Sequence, residues 1–345
     1  MKKITVNMAS ESDISVQGHG VHTAYEELLS ALEKRNDVQV IRGGFRRNVE
    51  CDVYHLHTIG LHMWRKIFDR SAKKVVSAHV IPDSFIGSII LAKYWRFAAV
   101  WYMRWFYNRA DKVLAVSKTV AEVLHKELKV PNEKIEVLYN TIDMAQYTTT
   151  ADERLAARTQ LRFAVDDFLV VGVGQVQPRK RLDSFVAMAR ALPDVQFVWV
   201  GGIPFGQLGA DYKAMQKLIE STPDNLHITD VIPHEKVKRY LQAADVFCLP
   251  AEQENHPMCV LEAAGASLPI VVRDIPEYND TFANDVLRCR TDEEFIAAVA
   301  KLQSSAATRK QWKAKSKKIA KRFDSKVAAS QLMSLYRDLL KEDAR

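Results

Sequence analysis

The sequence has little of what would place a protein outside the ordinary globular class. Every apolar run falls short of the ~18 residues that cross a bilayer, and the opening MKKITVNMAS lacks the apolar stretch of a secretory signal. Because its few cysteines show no C-x-x-C spacing, neither a zinc site nor a disulfide framework is expected, and a reducing cytoplasm is predicted. These cysteines are Cys51, Cys248, Cys259 and Cys289.

A dinucleotide fingerprint is also missing. No G-x-G-x-x-G follows the first predicted strand, and GVGQVQ after FLVV matches that pattern only in part, which argues against a nicotinamide site. No resident cofactor is therefore expected. The chain has only 13 glycines and 11 prolines and no low-complexity run, so long disordered segments are not expected either.

What the 345 residues do contain is a regular alternation of strand-like and helix-like stretches, which predicts an α/β fold with parallel sheets. KITVNM, DVYHLH and KVVSAH read as strands of a first half, and FLVVGVG, QFVWVGG and DVFCLP as strands of a second. The polar stretch 140–163 is interpreted as the linker. We expect two doubly wound, Rossmann-like domains, 1–147 and 148–325, facing a central cleft, and a helix over 326–345 that packs back toward the first domain.

The formal net charge is +7 and the pI is near 9.1, which calls for an acidic partner. Charge alone leaves nucleic acid, anionic lipid and phosphorylated small molecules open. No stacking motif or recognition-helix pattern accompanies the charge, so nucleic acid is not expected as the partner.

Two glutamates, Glu254 and Glu262, lie eight positions apart in EQENHPMCVLEAAGA, across the predicted start of a helix. Amides at a helix start attract phosphate, and carboxylates beside them can accept hydrogen bonds from sugar or ribose hydroxyls. The alternative is a solvated loop residue followed by an ordinary helical glutamate. Spacing alone does not choose between the two.

The whole stretch DVFCLPAEQENHPMCVLEAAGASLPIVV resembles the E-x7-E signature of retaining GT-B glycosyltransferases of family 4. The resemblance implies that Glu254 contacts the donor sugar, that Glu262 contacts the ribose, and that the loop of Asn255, His256 and Pro257 faces the sugar diphosphate. The family's loop is rich in glycine and phenylalanine and this one is not, so the resemblance does not fix the donor sugar.

Three further matches follow the family's order along the chain. VGVGQVQPRKRLDSF implies that Lys180, with Arg179, neutralises the diphosphate, and Gln175 stands where arginine is common. VQGHGVHTAYEELL is similar to the family's first glycine loop, which implies that Gly18 and Gly20 touch the donor phosphates. Outside that resemblance, PRKR is more often a solvated basic turn, and a lone G-x-G is typical of any strand-to-helix turn.

VVSAHVIPDS carries the third match. It places His79 where the family keeps a histidine near the donor sugar, which implies a catalytic role beside Lys180 and Glu254. His57 is expected on the acceptor side, and His55 is interpreted as structural. No D-x-D occurs, and the resemblance implies an enzyme that needs no metal.

A segment rich in aromatic and basic residues, SFIGSIILAKYWRFAAVWYMRWFYNRADK (84–112), points to the acceptor. Aromatic and cationic residues interleaved in this way are typical of helices that lie on anionic lipid, although core helices with inward-facing aromatics are the alternative. The residues expected at the lipid are Lys93, Trp95, Arg96, Trp101, Arg104, Trp105 and Arg109.

With FYNRADKVLAVS and FVWVGGIPFGQL, this segment resembles bacterial diacylglycerol glucosyltransferases. The resemblance implies transfer of a hexose, glucose in the first instance, from a UDP-sugar to diacylglycerol. The enzyme would work at the inner face of the membrane, in synthesis of glycolipid or lipoteichoic-acid anchors. Three rivals stay open: a glycosyltransferase with a polysaccharide or glycoprotein acceptor, a sugar-nucleotide epimerase of the same fold, and a nucleic-acid binder.

Overall fold

A computed structural model describes residues 3–11, 20–43, 49–85, 92–203 and 211–341, which form two compact units. The N-terminal unit comprises Met1–Ile86, Ala92–Asp143 and Phe323–Arg345, and nearly all of the C-terminal unit is Met144–Arg322. The chain therefore passes between the units after Asp143 and again after Arg322, a few residues before each boundary that the sequence suggested.

A six-stranded parallel sheet forms the centre of the N-terminal unit, in the order β2-β1-β3-β4-β5-β6. Its strands are β1 (Ile4–Ala9), β2 (Val38–Arg42), β3 (Val53–Leu56), β4 (Lys73–Ala78), β5 (Lys112–Ala115) and β6 (Ile135–Val137). Its helices are α1 (Gly20–Glu33), α2 (Trp64–Phe68), α3 (Ala92–Tyr107), α4 (Lys118–Lys126) and, at the end of the chain, α13 (Ser325–Lys341).

Successive strand residues point to opposite faces of this sheet, so each face has its own core. Tyr54 and Val76 pack with residues of α2, α3 and α4 on one face. Val53 and Val75 pack with residues of α1 and α13 on the other. The last helix of the chain is thus part of the N-terminal core.

The C-terminal unit repeats the plan with a parallel sheet in the order β12-β11-β10-β7-β8-β9. Its strands are β7 (Leu169–Val173), β8 (Gln196–Val200), β9 (Leu226–Ile228), β10 (Val246–Leu249), β11 (Ile270–Arg273) and β12 (Leu287–Cys289). Its helices are α5 (Met144–Tyr147), α6 (Ala151–Leu161), α7 (Leu182–Ala191), α8 (Tyr212–Glu220), α9 (His234–Ala243), α10 (Met258–Gly265), α11 (Asp292–Ser304) and α12 (Ala306–Arg322).

The two sheets confirm the predicted fold class, two Rossmann-like doubly wound domains. In each sheet the strand order reverses once, between β1 and β3 and between β7 and β10. Ligands of such sheets bind beyond the carboxyl ends of the strands at these reversals. The residues that follow β3 and those that follow β7 and β10 are therefore the first to consider for function.

The stretch interpreted as a linker is a helix over much of its length. Thr150 caps α6 in a reciprocal hydrogen-bond pair with Glu153. Buried Arg158 joins α6 to the body of the unit, because it bonds the Ala243 carbonyl at 3.0 Å and pairs with Asp245 at 2.7 Å. The polar composition that suggested a linker belongs to a surface helix whose Arg154 and Arg158 both pair with Asp245.

Candidate active site

The strand-order reversal of the C-terminal sheet is where predicted donor residues meet. After β7 the chain runs into a single turn of 3-10 helix, Pro178–Lys180, and after β10 a loop leads to α10. Lys180 donates to Oε1 of Glu254, and each residue is only 8% exposed. Arg179 Nη1 lies 3.7 Å from the same oxygen and donates to the Gln253 carbonyl at 3.1 Å. The structure thus brings three of the predicted residues together around one carboxylate.

The turn that carries these cations is held by the neighbouring strand. The amide of Gly174 donates to the Val200 carbonyl at 3.0 Å, and the amide of Val176 donates to the Gly202 carbonyl at 2.9 Å. Gly201 has a φ of 137°, and a Cβ there would overlap the carbonyl oxygen of Gly174, so only glycine fits. Half-buried Gln175 lies inside this bonded segment. The segment leads directly into the turn that carries Lys180.

Glu262 is buried in α10, and its carboxylate bonds a histidine that the sequence did not single out. Oε1 of Glu262 lies 2.8 Å from Nε2 of His234, the first residue of α9. The glutamate is 3% exposed, whereas the histidine is partly exposed. No motif in the sequence links residues 234 and 262, because the contact forms only when α9 and α10 pack together.

The loop before α10 turns one side chain inward. His256 is 3% exposed, and its ring stacks on Phe282 at 5.3 Å between centroids. Burial lowers its pKa to about 3, so the ring is neutral at physiological pH. Pro257 immediately precedes α10, and Asn255 is half-buried. Contact between His256 and a donor is therefore expected through its backbone.

Glu277 and Tyr278, which follow β11, are further residues near Glu254 that the sequence did not indicate. Burial raises the pKa of Glu277, and the charge of Glu254 adds to the effect. Burial also raises the pKa of Tyr278, with a contribution from Glu254. Within the described part of the chain, the fully buried Tyr278 hydroxyl has no hydrogen-bond partner.

In the N-terminal unit, three histidines lie at the ends of neighbouring strands. His55 is fully buried, with Nδ1 at 2.6 Å from the Tyr336 hydroxyl and Nε2 at 2.8 Å from Ser77 Oγ. Both of its ring nitrogens are thus used inside the fold, and burial lowers its pKa to about 3. This residue is structural, as the sequence favoured.

His57 and His79, the other two of these histidines, contact each other. Nδ1 of His57 lies 3.1 Å from Nε2 of His79, and the rings stack at 5.4 Å. His57 is 2% exposed, and burial holds its pKa well below the ordinary value. Its Nε2 has no hydrogen-bond partner among the residues described. The predicted catalytic histidine and the predicted acceptor histidine are therefore in direct contact.

The first glycine loop and part of the aromatic segment are outside what can be described. Gly18 lies outside the described residues, and Gly20 is the first residue of α1. The side chains of Lys93 and Trp95 also lie outside them. Arg96 is engaged within its own unit, since it pairs with Asp83 and with Glu127, each at 2.7 Å. Its expected lipid contact would compete with both carboxylates.

In the rest of the segment some aromatic rings face outward, whereas Phe106 and Tyr107 are fully buried in the core. On α3, Phe97 is 83% exposed and Trp101 is 65% exposed, and Arg104 lies on the same exposed stripe. Trp105 is half-buried, and the Arg109 guanidinium lies 4.1 Å from the centre of its indole ring.

Exposed residues around α2, which the sequence did not indicate, extend this surface. The Trp64 indole donates to the Tyr102 hydroxyl at 2.9 Å and packs 5.3 Å from the ring of Trp105, which also contacts Phe68. We call this surface the aromatic patch. Its exposed members are Leu61, Trp64, Phe68, Phe97 and Trp101.

Two structural features are absent from the described residues. These residues include no helix that is both long and apolar enough to cross a membrane. They also include no group of three or more His, Cys, Asp or Glu side chains arranged to hold a metal ion.

Comparison with known families gives two matches, one in each half of the chain. The sequence model described as "Glycosyl transferases group 1" matches residues 153–319. The model described as "Glycosyltransferase Family 4" matches residues 39–146. The first match contains the Lys180, Glu254 and Glu262 cluster.

Relatives and solved structures agree with these matches. The alpha-galactosylglucosyldiacylglycerol synthase of Streptococcus pneumoniae is 30% identical, over 99% of this chain and 91% of its own. The processive diacylglycerol alpha-glucosyltransferase of Acholeplasma laidlawii is 25% identical, over 73% of this chain and 76% of its own. The crystal structure of Anabaena HepE with UDP-glucose superimposes with a TM-score of 0.79 at 15% identity, over 97% of this chain and 100% of its own. The structural likeness confirms the predicted GT-B fold.

Proposed function

Because the chain belongs to the family 4, group 1 glycosyltransferases, we propose that it transfers a hexose from a UDP-hexose to a diacylglycerol-based lipid. Transfer takes place with retention of configuration, at the inner face of the cell membrane. The product is a membrane glycolipid of the kind that anchors lipoteichoic acid. The UDP-hexose is a co-substrate, and neither a resident cofactor nor a metal takes part.

The observation that carries the donor half is the buried cluster of Lys180, Arg179 and Glu254. An ammonium group has three N–H donors, and Glu254 takes one of those on Lys180, which leaves two for diphosphate oxygens. Neither of these contacts uses Oε2 of Glu254, which can accept from a sugar hydroxyl. Negative charge grows on the diphosphate as the glycosidic bond breaks, so fixed cations here stabilise the transition state more than the ground state.

Retention is supported by the chemistry of the donor and by the names of the relatives. UDP-glucose and UDP-galactose carry the nucleotide on the α face of the sugar. Both relatives are named for alpha-linked products, which retention of that configuration gives. In such a reaction the acceptor hydroxyl attacks from the face that the diphosphate leaves, and a phosphate oxygen accepts its proton. No protein nucleophile is needed.

Lipid as the acceptor class is supported by the same names and by the aromatic patch. Tryptophan and phenylalanine side chains exposed beside Arg104 suit the interface between headgroups and acyl chains. Burial of two such rings is favourable by about 1.5–3 kcal/mol each. The His57–His79 pair, in the same unit, is then placed to bind the attacking hydroxyl or the sugar.

A second candidate differs in donor and acceptor. The relative that spans the whole chain is named for a galactosylglucosyl lipid, which favours UDP-galactose as donor and glucosyldiacylglycerol as acceptor. The first candidate is UDP-glucose with diacylglycerol itself. The two share the donor cluster and differ in the sugar and acceptor pockets.

The test is product formation in anionic vesicles with each of the two donors and each of the two lipids, beside a control without acceptor. A new alkali-sensitive glycolipid, formed only with lipid present, supports the proposal, and the productive pair identifies the candidate. Enzymatic digestion that distinguishes α from β linkages tests retention, and activity that survives a chelator tests independence of metal.

Other outcomes point to the rivals. UDP release without glycolipid would keep the donor site and reject the lipid acceptor in favour of a soluble one. Conversion of UDP-glucose to another sugar nucleotide without acceptor would identify an epimerase. No reaction with either donor would reject UDP-hexoses.

A further inference from the structure

Helix α12 carries the largest concentration of positive charge in the described chain. Its 17 residues, AATRKQWKAKSKKIAKR, contain basic side chains and no carboxylate. The whole protein has a formal charge of only +7, so the excess over neutrality is no larger than what this one helix supplies. The basic residues are Arg309, Lys310, Lys313, Lys315, Lys317, Lys318, Lys321 and Arg322.

Some of these side chains are engaged inside the C-terminal unit. Arg309 donates to the carbonyls of Leu302 and Gln303, at 2.6 and 2.8 Å. Lys315 donates to the Asn284 carbonyl at 2.6 Å. Arg322 pairs with Asp285 at 2.8 Å. These three side chains therefore stabilise the C-terminal unit itself.

Four other lysines face outward on one side of the helix. At 100° per residue they lie within an arc of about 100°, opposite the buried Ile319. All four are exposed and form no salt bridge within the described residues. We call them the α12 lysine face: Lys310, Lys317, Lys318 and Lys321.

We propose that the α12 lysine face adsorbs to an anionic lipid surface. This inference rests on the proposed function insofar as a lipid acceptor requires the enzyme to work at a membrane. Like charges three and four residues apart on a helix repel one another, and an anionic surface relieves that repulsion. Apart from Ala307 and Ala314, the same arc contains no aromatic or aliphatic side chain, so the attraction is electrostatic and non-specific for headgroup.

Charge complementarity gives the expected size of the effect. Each lysine near an anionic membrane strengthens adsorption by about fivefold, so four lysines together contribute roughly 100-fold or more at low salt. The attraction fades within about 10 Å of the surface at moderate ionic strength. Adsorption through this face is therefore steeply dependent on salt, unlike adsorption through buried aromatic rings.

The test compares the full-length protein with two variants of equal charge. The first replaces the α12 lysine face, Lys310, Lys317, Lys318 and Lys321, by glutamine. The matched control replaces four other exposed lysines of the same unit, Lys213, Lys217, Lys236 and Lys301. Binding is measured by co-sedimentation with vesicles of phosphatidylcholine plus phosphatidylglycerol, and of phosphatidylcholine alone, at low and high salt. Circular dichroism verifies that both variants fold.

We expect the first variant to lose at least ~30-fold in binding to the anionic vesicles at low salt, and the control to lose less than a third as much. Equal loss in both variants would overturn the proposal in favour of a net-charge effect, and no loss in the first would leave α12 a solvated face. If the first variant instead lost binding to an RNA homopolymer and not to vesicles, the partner would be nucleic acid and the proposal would be wrong.

The vesicle-binding assay contains no sugar donor and measures no transfer. If a diacylglycerol-based lipid proved not to be the acceptor, the binding result would therefore stand unchanged.

Discussion

The two sheets of this protein end in different chemistry at the points where their strand order reverses. In the C-terminal unit, Lys180 and Arg179 surround the buried carboxylate of Glu254. In the N-terminal unit, His57 follows β3 and contacts His79, and burial keeps the pKa of His57 far below its ordinary range. One site is charged and paired, whereas the other holds a histidine that stays neutral.

The same fold topology thus supports two kinds of recognition. Fixed cations suit a diphosphate that gains charge as it leaves. A neutral imidazole can donate or accept one hydrogen bond at each nitrogen without presenting a charge, which suits an uncharged hydroxyl. With the donor and acceptor of the proposed function, this contrast favours the C-terminal unit for the anionic diphosphate and the N-terminal unit for the acceptor hydroxyl, and it can be tested one residue at a time.

The largest expected effect comes from the charged cluster. Lys180→Met and Glu254→Gln should each lower the transfer rate by about 10³-fold, because one removes a cation from the diphosphate and the other a carboxylate from the sugar. Initial rates with UDP-glucose and UDP-galactose measure this. Full activity of either variant, in a protein that folds by circular dichroism, would remove that residue from the site.

A stability control belongs with this pair. Removing one partner of a buried ion pair leaves the other charge unpaired, which costs roughly 3–5 kcal/mol. The double variant Lys180→Met with Glu254→Gln should recover part of that stability and none of the activity. Recovery of activity together with stability would mean that the pair is only structural.

The second-largest effect on transfer is expected at the neutral His57–His79 pair. His79→Ala should lower kcat by about 10²-fold while leaving the Kd for UDP unchanged, because the proposed function assigns the diphosphate to the C-terminal unit. Calorimetric titration of UDP and initial rates separate the two quantities. A weakened Kd with normal kcat would break the assignment of roles to the two units.

The next prediction concerns His234, which bonds the carboxylate of Glu262. If it orients Glu262 toward the ribose, His234→Ala should raise the Kd for UDP by about tenfold with little change in kcat, and His234→Gln should restore part of it. The loss should shrink for UDP that lacks a ribose hydroxyl, since the contact is then already missing. His227→Ala, an exposed histidine of β9 in the same unit, is the control. An equal loss for UDP and for its deoxy form would argue against this role.

How much of the fold and of the candidate site could be predicted from the sequence depends on how far apart along the chain the residues of each feature lie. The strands and the E-x7-E motif are local patterns, so the sequence predicts β1 and β7, which the structure contains, and it singles out Glu254 as a candidate site residue. The sequence does not predict strand β12 (Leu287–Cys289), because three residues at a sheet edge, of which only Cys289 is buried, give no alternation to detect.

Contacts between distant segments left no signal of their own. The bond from His234 to Glu262 spans 28 positions. The exposed Trp64 and Phe68 contact Trp105 in the fold, and the sequence did not indicate that contact. Arg96 has partners that its position in the pattern did not indicate. Its spacing placed it on the lipid side, but Asp83 and Glu127 pair with it across loops that a helical pattern does not describe.

The neutrality of the N-terminal histidines predicts a dependence of stability on pH. Burial lowers the pKa of His55 from 6.5 to about 3, so between these values the unfolded chain binds a proton that the folded chain does not. The stability from neutral His55 is complete above pH ~6.5 and falls by about 1.4 kcal/mol per pH unit below it. His55→Gln should flatten that slope in urea denaturation at pH 7 and pH 5, and His227→Ala should not. An unchanged slope in His55→Gln would mean that this histidine is charged in the fold.

The smallest effect concerns the surface charges of the N-terminal unit. Arg104→Ser should weaken binding to anionic vesicles by about fivefold at low salt and not at high salt. Arg109→Ser should do less, because its guanidinium already lies over Trp105. Trp101→Ser should weaken binding at both salt concentrations, since burial of an aromatic ring is not screened, and Lys118→Ser on α4 is the control. If the arginine variants and Trp101→Ser all bound vesicles normally, α3 would be a core helix with a solvated face.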